Sequence, residues 1–570
     1  MVEKKRWAAL VTAAALCVAL LSGCGSQEGK QFALSVCAGD APVCLDPIYA
    51  QTSGDQTLLM NLYENLMKTV PDGSGGTTVT NGMAKSVHED QNADGTVTYT
   101  FKLRSAQWTD GQDVTAEDFV YAWQRLADPA SASPYASVLS MVSGFDAVQE
   151  TGDASQLQVT AKNHSTLEVV VDGQCDWFLT QVCTSPATLP LRQDVIQAWK
   201  DARAAEVEEA RETGEQMEEA AQPVYWWSDV TALVTNGPFR TDAPASGDSL
   251  TVVAFDDYYG SGAGVGELTF RFASTAEEAW QLYEAGTVDF VGSLPQEQVV
   301  ELSQSETVKH DLAHELETYT LLLNCHQQVF ADVVVRKALT MTIDRTALAE
   351  AAGPTAQAAE GLVPAGVPGD GSGDFRTVAG PQLDNDPEMY DQRCSDAREL
   401  LQQAGYNSGA DLGELEYLYV DEGNAGAVAQ ALSRMWQQAL GVQLNLRAVT
   451  QEELDSALAQ GNYTLAAKDL KAVGNDAECF LMTWKSDSGD NVTGYANSAY
   501  DTLMTIIAGA EDGEARLGCL HDAEALLLDD SPLAPLYTNL TAWKLREDYT
   551  GTCRDARGFF LFSAVMVRTA

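Results

Sequence analysis

His310, His314 and His326 are the residues best spaced for chemistry in this 570-residue chain. On one helix, His310 and His314 would project from the same face, and two imidazoles with a third ligand are what a zinc site needs. The segment around them reads as extended, so no metal is expected there. The other histidines, His88, His164 and His521, stand alone in the sequence. No HExxH, no G-x-S-x-G elbow and no phosphate-binding P-loop occurs. Gly260, Gly262, Gly264 and Gly266 alternate, but a strand follows them where a phosphate site needs a helix N-terminus. With 82 acids in the chain, paired carboxylates carry no information. The residues therefore point to no catalytic group, no cofactor and no metal, which is the pattern of a binding protein.

Eleven cysteines are present, and neither CxxC nor a repeated zinc spacing is among them. Cys37 with Cys44 and Cys175 with Cys183 are close enough in sequence to bridge in an exported protein. A chain this long builds a core without such staples, so no particular bridge is expected. The net charge is −48, which keeps the surface solvated and repels phosphates, so nucleic acid is excluded as a partner. Lys4, Lys5 and Arg6 precede an apolar run over residues 7–20, followed by Leu21-Ser22-Gly23-Cys24. This resembles a bacterial lipoprotein leader, in which the cysteine thiol takes the diacylglycerol. Residues 1–23 are then a signal peptide, Cys24 the lipidation site and residues 24–31 a tether. The implied location is extracytoplasmic, anchored to the outer face of the cell membrane.

The elements that would position a binding site follow. Residues 31–37 read as a strand, 57–67 as an apolar helix, and 96–103 alternate in the manner of a half-buried strand. Residues 108–139, WTDGQDVTAEDFVYAWQRLADPASASPYASVL, carry a turn at Asp110-Gly111 and an N-cap at Thr115. Phe119, Ala122, Trp123 and Leu126 then share one helical face, and Asp128-Pro129 stops the helix. Residues 194–220 are rich in Ala, Glu and Arg and read as solvated helix. From residue 275 helices and strands alternate, over 277–285, 319–324, 332–345, 395–406, 415–420, 427–440 and 442–449. That rhythm predicts a mostly parallel sheet. Helices over 499–507 and 515–528 and a strand over 533–537 close the chain.

The 108–139 stretch resembles the extracellular solute-binding proteins of family 5, the oligopeptide type, which carry W-x-D-G, then A-x-D-F-V-x-A-W-x-R, then D-P-x-x-A-S-P-Y-A. The segments Asn236-Gly237-Pro238-Phe239, DVVVRKALTMTIDR at 332–345, Leu362-Val363-Pro364 and SDARELLQQAGY at 395–406 resemble the same family. The resemblance implies an α/β, periplasmic-binding-protein-like fold of the three-domain type II class, with two lobes, a hinge and a subdivided larger lobe. It places the large lobe at 32–264 and 531–570, with a subdomain at about 66–184 and a helical insertion at about 194–222. The second lobe is placed at 265–530. It implies a monomeric, lipid-anchored binding subunit of an ABC importer that closes on an extended oligopeptide and serves a separate permease and ATPase. Dipeptides, a nickel chelate or a signalling peptide are same-fold alternatives, and a peptide sensor or chaperone-like surface protein is a different one.

By position, the resemblance carries ligand binding to Gln51, Thr52 and Ser53, to Tyr135, to the strand Lys468, Asp469, Leu470, Lys471, Ala472 and Val473, and to Tyr537 and Asn539. One departure stands out. Relatives have Ala-Asp-Tyr a few residues before a Phe-Leu pair, and that aspartate holds the peptide ammonium. Here the pair is Phe480-Leu481 and the triplet is Ala472-Val473-Gly474. Either Asp476 or Asp469 replaces the missing acid, or the ligand brings no free amine to that place.

Overall fold

The computed structural model describes residues 31–72, 77–175, 177–213, 224–246, 248–260, 264–304, 311–369, 373–472, 474–510 and 513–568. Cys24, His310, Val473 and the insertion beyond residue 213 lie outside these.

Two sheets organise the chain. The first has six strands, in the order Lys544–Leu545, Phe290–Val291, Phe32–Cys37, Val265–Arg271, Ser249–Ala254 and Phe239–Thr241. Its middle strand, Phe32–Cys37, is buried at Leu34 and Val36 and pairs in parallel on both sides. Parallel neighbours need long crossover connections, which is why strands so far apart in sequence meet here. The second sheet runs Leu312–His314, Leu533–Ala542, Glu317–Leu323, Leu465–Lys471, Glu414–Val420 and Gln443–Val449, and Ala356–Ala358 also pairs the 533–542 strand. Only its last three strands are mutually parallel. The expected mostly parallel sheet is thus corrected to a mixed one. Glu317–Leu323 pairs antiparallel with both neighbours, because it and Leu533–Ala542 enter from outside the β-α-β run.

Strands on either side of 264/265 and of 530/531 are shared out between the sheets as follows. Val265–Arg271 and Phe290–Val291 are bound into the first sheet by Phe32–Cys37, and Leu533–Ala542 is bound into the second by Glu317–Leu323. The chain crosses between the sheets twice, once between Val291 and Leu312 and once at Trp543. The Trp543 amide donates to the Asp311 carbonyl at 3.1 Å, so the two crossings are tied together.

A third, four-stranded antiparallel sheet, Ala84–Gln91, Val97–Leu103, Thr166–Val171 and Val159–Asn163, stands on the first. Its helix, Ala116–Ala127, begins at Thr115 in a capping box with Asp118 and ends at Asp128, as its sequence dictates. Phe119, Trp123 and Leu126 are fully buried, and the Trp123 indole donates to the Thr188 carbonyl at 3.0 Å. Elsewhere boundaries shift for local reasons. The helix expected over 57–67 occupies Ser53–Leu62, because the Thr52 side chain caps it and Tyr63 turns extended. The single helix expected over 332–345 is two, Val333–Met341 and Arg345–Ala352, because Asp344 is itself an N-cap. Among the described residues Cys37, Cys44, Cys183, Cys325, Cys394, Cys479, Cys519 and Cys553 are free thiols.

Replacing Trp123 with Ala removes a fully buried indole and strands the Thr188 carbonyl. The expected loss is about 3–5 kcal/mol, read from the denaturant midpoint of the first unfolding transition, with Trp123→Phe losing less.

Candidate ligand-binding site

A cavity of about 470 Å³ opens on the second sheet near the crossings. Its floor is a row across three strands. Tyr319 lies directly opposite Tyr537 on one side and Asp469 on the other, so the three side chains leave the same face. The Tyr319 and Tyr537 rings stack at 4.8 Å. Lys468, Asn539 and Glu315 also line the cavity. Its far wall is Glu422 and the first residues of the helices Ala425–Ala439 and Gln451–Ala459. These helices follow the carboxyl ends of the parallel strands Glu414–Val420 and Gln443–Val449, the place where open α/β sheets bind ligands.

The cavity is acidic. Asp469 faces its open water and is solvent-exposed there, yet protein encloses it on most sides. That enclosure, with the charge of Glu317 nearby, pushes its carboxyl up to about 7, and Lys468 opposes the shift. Glu315 is raised in the same direction, first by burial and then by Glu317, against the pull of Arg554.

Four of the residues expected in the site therefore meet: Lys468, Asp469, Tyr537 and Asn539. Leu470 and Lys471 continue the same strand, and the Ala472 amide donates to the Leu316 carbonyl at 3.4 Å. Val473 lies outside the described residues. Gln51, Thr52 and Ser53 are exposed at the start of the Ser53–Leu62 helix, on the side of the first sheet. Ser53 lies beside Gly558. A Cβ there would lie 3.9 Å from the Ser53 side chain and 3.7 Å from the Arg554 guanidinium, and its φ of +103° suits glycine. Arg554 lies over the Trp543 ring at 5.2 Å and faces Glu315 electrostatically.

Tyr135 is turned away from this cavity. Its hydroxyl donates to the Ala50 carbonyl at 3.0 Å and accepts from Gln56 at 3.3 Å, which anchors the 133–137 loop. Its neighbours Ser133, Pro134, Ala136 and Ser137 line a second, larger space of about 1170 Å³, closed on the other side by Glu478 and Lys485. Asp476 is engaged within the fold. It caps the Ala477–Leu481 helix through the Glu478 amide at 2.8 Å and pairs with the buried Arg516 at 3.0 Å. Arg516 also holds Glu478 at 2.9 Å, and Glu478 accepts from the Trp177 indole of the first lobe at 3.1 Å. Close by, Gln181 accepts from the Asn475 amide at 2.7 Å.

Glu315, Tyr319, Glu422 and Arg554 are site residues that the sequence reading missed. Tyr319 reads as one more apolar residue of a buried strand. Only the two-residue alternation of Glu315, Glu317 and Tyr319 marks one edge of it as polar. Arg554 carries no local signal at all.

His314 lies in a strand and His326 packs against Gly494, and among the described residues no three His, Cys, Asp or Glu side chains are grouped to hold a metal. Nor is any described helix long and apolar enough to cross a membrane.

Two sheets joined by a double crossing, with a cavity on the second sheet, define a two-lobed solute-binding protein. Residues 78–492 match the family of bacterial extracellular solute-binding proteins, family 5 (middle), and the chain belongs to that family of peptide ABC transport. It is 29% identical over 515 residues, 90% of this chain and 88% of the other, to the probable deoxycholate-binding periplasmic protein YgiS of Escherichia coli K12. It is 25% identical over 588 residues, 98% of this chain and 99% of the other, to the oligopeptide-binding protein OppA of Bacillus subtilis 168. The crystal structure of Haemophilus influenzae OppA in complex with RPPGFSPFR shares the fold, with a TM-score of 0.70 and 24% identity over 94% of this chain and 99% of that one. The family and these relatives are binding proteins rather than enzymes.

Asp476→Ala should cost about 1–3 kcal/mol of stability, from a lost cap and a charged hydrogen bond, while leaving ligand affinity unchanged. A melting curve beside a binding titration checks both; lost binding at full stability would return Asp476 to the site.

Proposed function

We propose that this chain is the substrate-binding subunit of an ABC importer, held to the outer face of the membrane through lipid on Cys24 and acting as a monomer. It captures extended oligopeptides between its two lobes and hands them to a separate permease and its ATPase. The observation that carries this reading is the cavity itself, which sits beside the tied crossings at Asp311 and Trp543. A hinge there changes the distance between the Ser53–Gly558–Arg554 surface and the Asp469–Glu315 surface with little change within either sheet. Beyond Ala466 the strand Leu465–Lys471 has one ladder partner, Glu317–Leu323, and main-chain pairing along such an edge is how a site accepts many peptide sequences. Closure then gives the permease a shape that differs with and without ligand.

The resemblance to a deoxycholate-binding relative supplies a second reading, capture of an amphipathic acid on the Tyr319–Tyr537 surface. The carboxylates around that surface disfavour it, because an anionic ligand would meet Asp469 and Glu315.

Mass spectrometry of whatever leaves the purified protein on denaturation should find oligopeptides. Bile-acid-like molecules alone, with no peptide, would replace the first reading by the second. In the native host, Cys24→Ala should release the protein from the membrane fraction; unchanged retention would remove the lipid anchor from the proposal.

A further inference from the structure

The lobes touch at a second place, apart from the crossings at Asp311 and Trp543. The Trp177 indole of the first lobe donates to the Glu478 carboxylate of the second at 3.1 Å, and the Asn475 amide donates to the Gln181 side-chain oxygen at 2.7 Å. None of these four residues lines the cavity on the second sheet. Trp177 and Glu478 are buried. An arginine fixes each half of the contact from behind. In the second lobe Arg516 holds Glu478 at 2.9 Å and Asp476 at 3.0 Å. In the first, Arg557 donates to the Gln181 carbonyl at 3.1 Å and to the Thr184 hydroxyl at 2.9 Å, and Asp555 holds Arg557 at 2.7 Å. Asp555 also accepts from the Thr69 hydroxyl at 2.9 Å, which ties this half to the Met67–Pro71 strand. Side chains already fixed in this way lose little further freedom when they pair. Gly474 lets the two surfaces meet. A Cβ at 474 would lie 2.8 Å from the Gln181 Cβ and 2.9 Å from its Cγ. Carbons that are not bonded keep about 3.5–4.0 Å apart, so any side chain here pushes Gln181 away from the Asn475 amide. In the triplet compared with relatives above, Gly474 stands in the place of a tyrosine. A ring at 474 and Gln181 could not occupy this space together.

We propose that Trp177 and Gln181 of the first lobe, with Gly474, Asn475 and Glu478 of the second, form a latch that favours the closed arrangement of the lobes before any ligand binds. The crossings attach the lobes covalently, and the latch is a separate, non-covalent attachment. Opening that parts Gln181 from Asn475 also parts Trp177 from Glu478. It brings water to a buried indole and to a buried arginine–glutamate pair, and it leaves the Asn475 amide without its acceptor. The closed arrangement is therefore held by the protein's own groups, and a ligand has little of the equilibrium left to shift. Affinity then depends on residues that the ligand does not touch, because the fraction of protein already competent scales the apparent dissociation constant. The latch acts on the lobes and is independent of which ligand the cleft takes.

The test uses the full chain stripped of co-purified ligand, as wild type, Gly474→Ala, Gln181→Gly, the double variant and Trp177→Phe, each shown to be folded by its thermal unfolding. Small-angle X-ray scattering reads the separation of the lobes with no ligand added. Wild type should be compact, and a pool of random tetrapeptides should change its radius of gyration little. Gly474→Ala, which drives a methyl group against Gln181, should expand the unliganded protein. It should also weaken binding of the pool by about tenfold, as follows when the competent fraction falls to about a tenth. Adding Gln181→Gly to Gly474→Ala clears the space and should recover part of the compactness, so the two changes are not additive. Trp177→Phe adds no volume and should expand the unliganded protein as well, which keeps the latch testable if Gly474→Ala does not fold. Unliganded wild type as expanded as Trp177→Phe or Gly474→Ala overturns the latch. So does a double variant as expanded as the sum of its parts. Where wild type does not bind the pool, the scattering of the unliganded proteins decides alone.

Discussion

The whole molecule depends on a connection one residue wide. Trp543 is the only residue between a ten-residue strand of the second sheet and the edge strand of the first. Its amide is bound to Asp311, the last residue before the other crossing delivers its first strand to the second sheet. A small cluster of Cys37, Val288, Val291, Leu294 and Ala542 packs under both crossings. Rotation about such a pair of strands needs change in few backbone angles, whereas deforming either sheet would break ladder hydrogen bonds. The soft coordinate and the cavity thus lie in the same place, which is what a closing binding protein requires.

Contacts between the lobes are arranged with the same economy. On one side Glu478, positioned by Arg516, meets the Trp177 indole, and Gln181 meets the Asn475 amide. On the other, Arg554 faces Glu315 without an ion pair between them. The first group is satisfied in the absence of ligand. The second is one pair of opposite charges held apart. An interface that is complete on one side and open on the other leaves the open side for the ligand to fill.

The helix Ala116–Ala127 was legible in full, because cap, apolar stripe and stop all sit within fourteen residues and agree with one another. The first sheet was legible strand by strand but not as a sheet. Nothing local says that Phe32–Cys37 will pair with Val265–Arg271, since parallel register is set by the crossovers and by burial on both faces. Lys468, Asp469 and Tyr537, proposed by position along the chain, line one cavity. Asp476 could not be judged that way, because its partner Arg516 is forty residues distant and is brought back only by the packing of two helices. Tyr135 belonged to the right loop, but its hydroxyl serves Ala50.

Asp469 is opposite Tyr319 in the interior of the sheet, not at its end. The far wall carries the helix N-termini at Ala425 and Gln451, whose partial positive charge favours an anionic or carbonyl group, so the floor and the far wall of the cavity differ in polarity.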